Sequence, residues 1–226
     1  MEWLSRDEWD LNVVPAPSGP LGEAPHPHPG SRGLASIKRL TTVEANQTLF
    51  CEGETQPSAV QVVHGVVRAV RLLEGGERQV VAFFWPGDTM GIEQVGGFAY
   101  SAEAVTRCHL RCLPPECRPG NSALGSECNI VHELLNLVTV LGRKSVISRV
   151  AWFLLRVRPR LPKAANTDEF RFEIPQSDVA DYLGTSKETV CRMLSEFRER
   201  GLIELPTRRT IRFLDERSLD AIARGL

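Results

Sequence analysis

No stretch of this 226-residue chain is apolar for long enough to cross a membrane. The most hydrophobic run, VVAFFW at 80–85, falls far short of the roughly 20 residues that a spanning helix needs. The opening residues, MEWLSRDEWD, are acidic and have no hydrophobic signal core, so secretion is not expected and the chain reads as cytoplasmic. Histidine is scarce, 5 in all. Only His64 and His109 fall in the β-rich part of the chain, too few to converge with a carboxylate in a metalloenzyme barrel, so no catalytic residue and no enzyme activity are expected. His26 and His28 sit between prolines and make a poor metal pair. No cysteine precedes Cys51. The 6 cysteines of the chain are expected to be reduced thiols in the cytosol.

Charge is uneven along the chain. Residues 1–142 hold 10 basic and 16 acidic side chains, a net of −6, whereas residues 143–226 hold 17 and 12, a net of +5. The basic part suits a polyanion, and the acidic part is not expected to touch phosphates.

The most telling segment is IPQSDVADYLGTSKETVCRMLSEFRERGLI, from residue 174 to 203. Val179, Ala180 and Leu183 give a first helix its apolar face. Gly184 ends it, since glycine takes the left-handed conformation just past a helix C-terminus. Ser186 is a good N-cap for a second helix, whose buried stripe is Val190, Met193, Leu194 and Phe197. Lys187, Glu188, Cys191 and Arg192 are left on the other face. Two helices joined by a short glycine turn form the DNA-reading helix-turn-helix, with the second helix in the major groove. Glu188 and Arg192 lie one turn apart on that face. Glutamate accepts from cytosine and arginine grips guanine with two hydrogen bonds. The candidate DNA contacts are Gln176, Ser177, Ser186, Lys187, Glu188, Thr189 and Arg192. To these we add Arg208 and Arg209, at the turn Pro206–Arg209 of a hairpin wing built from strands at 202–205 and 210–213.

Upstream, residues 12–33 are rich in proline and glycine without a period, and we read 1–33 as a disordered tail. From 34 to 125, short valine- and phenylalanine-rich segments broken by glycines, with Gly75-Gly76 as a hairpin turn, predict a small antiparallel barrel or roll. Residues 126–145 change to a helical period. Ile130, Leu134, Leu137 and Leu141 are spaced four, three, four, and Val131, Leu135 and Val138 widen this seam, which predicts dimerisation. A second amphipathic helix at about 146–157 leads into the C-terminal DNA-binding domain, 146–226. The fold class is therefore α+β.

These features resemble the CRP/FNR superfamily of bacterial transcription regulators. The turn and recognition helix match its pattern at Leu183, Gly184, Ser186, Glu188, Thr189, Val190 and Arg192. The likeness runs from about residue 34 to the C-terminus through CEGE (51–54), HGVVRAVRLLEGGERQVVAFFWPGD (64–88) and YSAEAV (100–105). It is greatest to the FixK-type branch, which resembles FNR but lacks its iron–sulfur cluster. The resemblance implies a jelly-roll sensor domain of the cyclic-nucleotide-binding kind, a long dimerisation helix and a winged helix-turn-helix. It implies a homodimer on a palindromic operator of double-stranded DNA, recruiting RNA polymerase. The genes controlled would serve microaerobic or anaerobic metabolism, nitrogen oxides or nitrogen fixation.

The resemblance also bears on the signal. Cyclic-nucleotide binders of the superfamily carry Gly-Glu-Leu for the ribose and then Arg-Ser for the cyclic phosphate. Here Gly91-Ile92-Glu93 and Tyr100-Ser101 stand at those places, so the phosphate has no cation. Glu93 is offset by one, which in a strand turns it to the other face. FNR-like proteins hold a cluster with cysteines in the N-terminal tail and one in the roll; this tail has none, and Arg111 stands at the roll position. Cys108, Cys112, Cys117 and Cys128, with three, four and ten residues between them, match no ligation pattern. We expect no cofactor. Cys191 differs from these: it sits beside Arg192 on the recognition face, where oxidation would set negative charge against phosphates. It is a candidate redox switch, and effector gating or redox gating is the alternative to constitutive binding.

Overall fold

The structure is a computed structural model that describes residues 40–54, 59–91, 97–113, 134–142, 145–164 and 168–226. The expected tail at 1–33 lies outside these residues, as do Glu93, Cys117, Cys128 and Ile130.

Eight strands come first: β1 (Leu40–Val43), β2 (Thr48–Phe50), β3 (Ala59–His64), β4 (Val67–Leu72), β5 (Arg78–Phe84), β6 (Thr89–Met90), β7 (Ser101–Ala104) and β8 (Cys108–Leu113). They form two antiparallel sheets with strand orders β1-β8-β3-β6 and β2-β7-β4-β5. Side-chain alternation sets the register. In β8, Cys108, Leu110 and Cys112 point inward while His109, Arg111 and Leu113 are only partly covered. A slip of one residue would turn the buried set out to water. Val43, Phe50, Val62, Phe84, Met90 and Leu110 meet between the sheets, each stabilising by about 1.5–3 kcal/mol when fully buried. Gly65 closes the β3–β4 turn at φ +90°, where a Cβ would come within 2.6 Å of the Arg107 carbonyl oxygen. No other residue fits there.

The helical part follows. Helix α1 is described over residues 134–142. After it come α2 (Val146–Val157), α3 (Gln176–Leu183), α4 (Lys187–Glu199) and α5 (Glu216–Arg224), with a three-stranded sheet of order β10-β11-β9 made by β9 (Phe170–Arg171), β10 (Ile203–Thr207) and β11 (Thr210–Phe213). Helix α2 spans the expected residues. It starts at the Ser145 cap and buries Val150, Ala151, Phe153, Leu154 and Val157. Helix α5 was not foreseen, although Asp215 caps it by accepting from the Ser218 N–H at 3.0 Å and the Ser218 hydroxyl at 2.6 Å. One apolar core runs through α2, α3, α4 and α5 and continues onto Val66, Val70, Val80 and Trp85 of the roll. The roll and the helical part thus share buried surface.

One expectation needs correction, and one gains detail. The first wing strand extends to Thr207 through an irregularity between Glu204 and Thr207, so the turn is shorter than Pro206–Arg209 and holds only Arg208 and Arg209 between the paired Thr207 and Thr210. The expected dimer seam divides by exposure within the chain. Leu137 is buried in the chain's own core and Leu141 packs against it, whereas Leu134, Leu135 and Val138 are exposed. Apolar residues surround much of α1, so spacing alone did not say which stripe the chain's own core would take. The exposed stripe of α1 is Leu134, Leu135 and Val138.

Candidate nucleic-acid interface

The helix-turn-helix is assembled by local rules. Val179, Ala180 and Leu183 bury one face of α3. Gly184 stops it in the left-handed conformation at φ 58°, and its N–H donates to the Ala180 carbonyl. The Thr185 N–H donates to the same carbonyl at 3.0 Å. Arg149 of α2 reaches the last turn and donates to the Leu183 carbonyl at 2.6 Å, covering an acceptor that the helix itself leaves open. The Ser186 hydroxyl then accepts from the Thr189 N–H at 3.2 Å and starts α4. Only three residues separate the helices, and all three are held.

Helix α4 buries Val190, Leu194 and Phe197, with Met193 partly covered. Its other face presents Lys187, Glu188, Cys191 and Arg192 to solvent. Among the described residues no carboxylate pairs with Lys187 or Arg192. The Glu188 carboxyl is held below the usual range, first by its own backbone N–H, then by the Ser186 hydroxyl, with Lys187 adding to both. It is an ionised acceptor, suited to a cytosine amino group. Ser186 and Thr189 have their hydroxyls 3.0 Å apart, so capping is their first role and a DNA contact would be shared with it. Gln176 is half-buried and Ser177 exposed in the first turn of α3. Arg208 and Arg209 are exposed at the wing tip. There the Thr207 hydroxyl accepts from the Arg209 N–H at 3.1 Å and lies 2.8 Å from the Thr210 hydroxyl, which braces the turn.

The cysteines divide by burial. Cys108 and Cys112 are inside the roll, and burial pushes both thiols up. Burial, followed by nearby Glu54, raises Cys51. Among the described cysteines Cys191 alone is exposed.

Sequence reasoning missed a charged cluster on the opposite side of α3. Asp178 is 1 % exposed. It accepts from Arg68 of β4 at 2.6 Å and pairs with Arg78 of β5. Arg78 also donates to Asp181 at 3.0 Å, and Arg68 to Glu103 of β7 at 2.7 Å. The Gln79 amide donates to the Asp181 carbonyl. Beside them the rings of Phe83, Phe153 and Tyr182 pack with centroids 5.4–6.0 Å apart.

Comparison with known proteins matches this geometry. Residues 40–117 fit the cyclic nucleotide-binding domain and residues 148–222 the Crp-like helix-turn-helix domain. The nitrogen fixation regulation protein FixK of Rhizobium meliloti is 30% identical over 201 residues, covering 86% of this chain and 92% of that protein. The chain belongs to the CRP/FNR family. Within it the chain is FixK-like: FixK of Azorhizobium caulinodans is 33% identical over 203 residues, 82% of this chain and 79% of that protein. The structure of FixK2 from Bradyrhizobium japonicum superposes with a TM-score of 0.74 at 27% identity, over 81% of this chain and 96% of that one. Its CRP/FNR relatives are regulators of transcription and not enzymes, and the helix-turn-helix is the family's DNA-binding domain. Among the described residues no helix is long and apolar enough to cross a membrane.

Part of the family's cyclic-nucleotide place lies among the described residues. Tyr100, where the phosphate-pairing arginine is expected, is buried against Phe50 and Phe84 with ring centroids 5.8 Å from each. Phe50 in turn stacks on Phe98 at 3.9 Å. The Gly91 N–H donates to the Tyr100 hydroxyl at 3.4 Å. An aromatic cluster holds this part of the roll, and a ring offers no counter-charge to a phosphate.

Proposed function

We propose that the chain is a homodimeric, sequence-specific transcription regulator, most simply an activator, that binds a palindromic operator and recruits RNA polymerase without a cyclic nucleotide or an iron–sulfur cluster. The carrying observation is the outward face of α4, where Glu188 and Arg192 stand one turn apart and exposed, on a helix whose start is fixed by a cap. The genes served are those of microaerobic or anaerobic metabolism, nitrogen oxides or nitrogen fixation, by analogy with the FixK proteins and with the transcriptional activator FnrA of Stutzerimonas stutzeri, 27% identical over 203 residues. The aromatic filling around Tyr100 supports binding without a cyclic nucleotide. Selection of sequences from random DNA by the purified protein tests this reading. It is expected to return an inverted repeat with a guanine–cytosine pair in each half-site, and enrichment of no sequence would refute it.

The two-fold axis is assigned to the open stripe of α1. Leu134→Asp with Val138→Asp is expected to give a folded monomer that has lost operator binding, because the partner helix would have to bury unpaired charges. A dimeric double variant in sedimentation would move the interface elsewhere. Exposure of Cys191 on the reading face favours a second reading, in which oxidation of that thiol weakens binding.

A further inference from the structure

We infer that Arg78 and Arg68 of the roll are positioning residues for the recognition helix, gripping α3 through Asp178 and Asp181 and so presenting α4 to DNA in one orientation without any effector. The inference rests on the proposed reading of the chain as an operator-binding regulator. Its parts are on α3. Asp178 and Asp181 are three positions apart and share the helix face turned to β5. Asp178 is almost wholly buried and held by both guanidinium groups. Such an ion needs partners in place, since a buried carboxylate left alone is far costlier than one that is paired. The grip is directional, because a guanidinium presents its donors in a fixed fork. Arg78 uses this fork on two carboxylates of α3 while also facing Glu103 of its own sheet. Arg68 bridges Glu103 and Asp178 in the same way.

The far end of α3 is fixed separately, by Arg149 on the Leu183 carbonyl and by Tyr182 against Phe83 and Phe153. A helix tied near both ends to two different elements has no freedom to roll. Helix α4 follows after a three-residue turn whose conformation is itself closed by Gly184, Thr185 and Ser186. Movement of α3 therefore passes to Glu188 and Arg192. Elsewhere in the interface the Arg160–Asp88 pair, at 2.9 Å but with Arg160 well exposed, adds little.

A test of sign separates positioning from plain electrostatics. Asp181→Asn removes one negative charge from a domain that faces phosphates. Charge alone would tighten DNA binding. Loss of the grip is expected instead to weaken operator affinity by about 2–30-fold, with the dimer mass and folded state unaltered. Arg78→Lys, which keeps the charge and loses the fork, is expected to weaken it as well. Arg78→Ala is expected to lower operator affinity without changing the slope of affinity against salt, whereas loss of a true phosphate contact lowers that slope by about one. Equal or tighter operator binding by Asp181→Asn overturns the inference, and so does a salt slope that falls in Arg78→Ala. If the parent protein selects no operator, the regulator reading itself has failed, and that outcome is read before any variant is made.

Discussion

Arg78 and Arg192 carry the same guanidinium, and the structure uses them in opposite ways. On the roll side of the helix-turn-helix, arginines are paired: Arg78 and Arg68 meet Asp178, Asp181 and Glu103 at distances of 2.6–3.5 Å or closer. On the outer side Lys187, Arg192, Arg208 and Arg209 have no carboxylate partner among the described residues. A paired, buried arginine fixes position and has no charge left to offer. An unpaired, hydrated one costs the fold nothing and is free for a phosphate or a guanine. Counting basic residues therefore overstates what the domain presents to DNA. Which face a cation occupies decides its role.

Substitutions can break this contrast. The largest effect is expected on the paired side. Asp178→Ala strips both arginines of a buried partner and should cost about 3–5 kcal/mol of stability, read as a lower midpoint in urea unfolding. A midpoint equal to the parent's would mean that the cluster is not a structural tie. Next is Arg192→Ala, expected to cost about 1–3 kcal/mol in operator affinity and to relax preference at one guanine per half-site, with the unfolding midpoint unmoved. If instead stability falls and affinity does not, the two faces have been assigned in reverse. Smaller still are Arg208→Ala and Arg209→Ala. Each should weaken binding to all sequences alike and reduce the salt slope by about one; an unchanged slope would remove the wing tip from the phosphate contacts.

The smallest effect on this face is expected at Cys191. Peroxide is expected to weaken operator binding of the parent and to spare Cys191→Ser, because burial raises Cys108 and Cys112 and protects them. Equal losses in both proteins would make Cys191 a passive neighbour of Arg192.

Much of the reading side was legible beforehand because it obeys local rules. The stop at Gly184, the cap at Ser186 and the buried Val190, Leu194 and Phe197 each follow from residues within a turn of one another. Strand alternation likewise revealed the roll. The charged cluster was not legible. Arg68 and Asp178 are 110 positions apart, and neither position announces its partner. The one signal was an aspartate beside Val179 and Ala180 on the face that α3 buries, a misplaced charge that implies a distant cation. In α1, apolar residues on several stripes hid which of them the chain's own core would cover, so spacing did not reveal that Leu137 and Leu141 also pack within the chain. The Ser218 hydrogen bond to Asp215 that begins α5 was visible in the sequence as an aspartate three residues before a serine, a weaker sign than the glycine turn.

The short turn between α3 and α4 has a further meaning for how such regulators diverge. It joins a helix constrained on its inner face to one that leaves Glu188, Cys191 and Arg192 exposed to solvent. Exchanges at Glu188, Cys191 or Arg192 leave the packing of Val190, Leu194 and Phe197 untouched. On the proposed reading, a lineage can therefore rewrite the sequence it recognises one base pair at a time, through folded intermediates, while the scaffold beneath stays as it was. New operators are within short mutational reach of this fold, and a new scaffold is not.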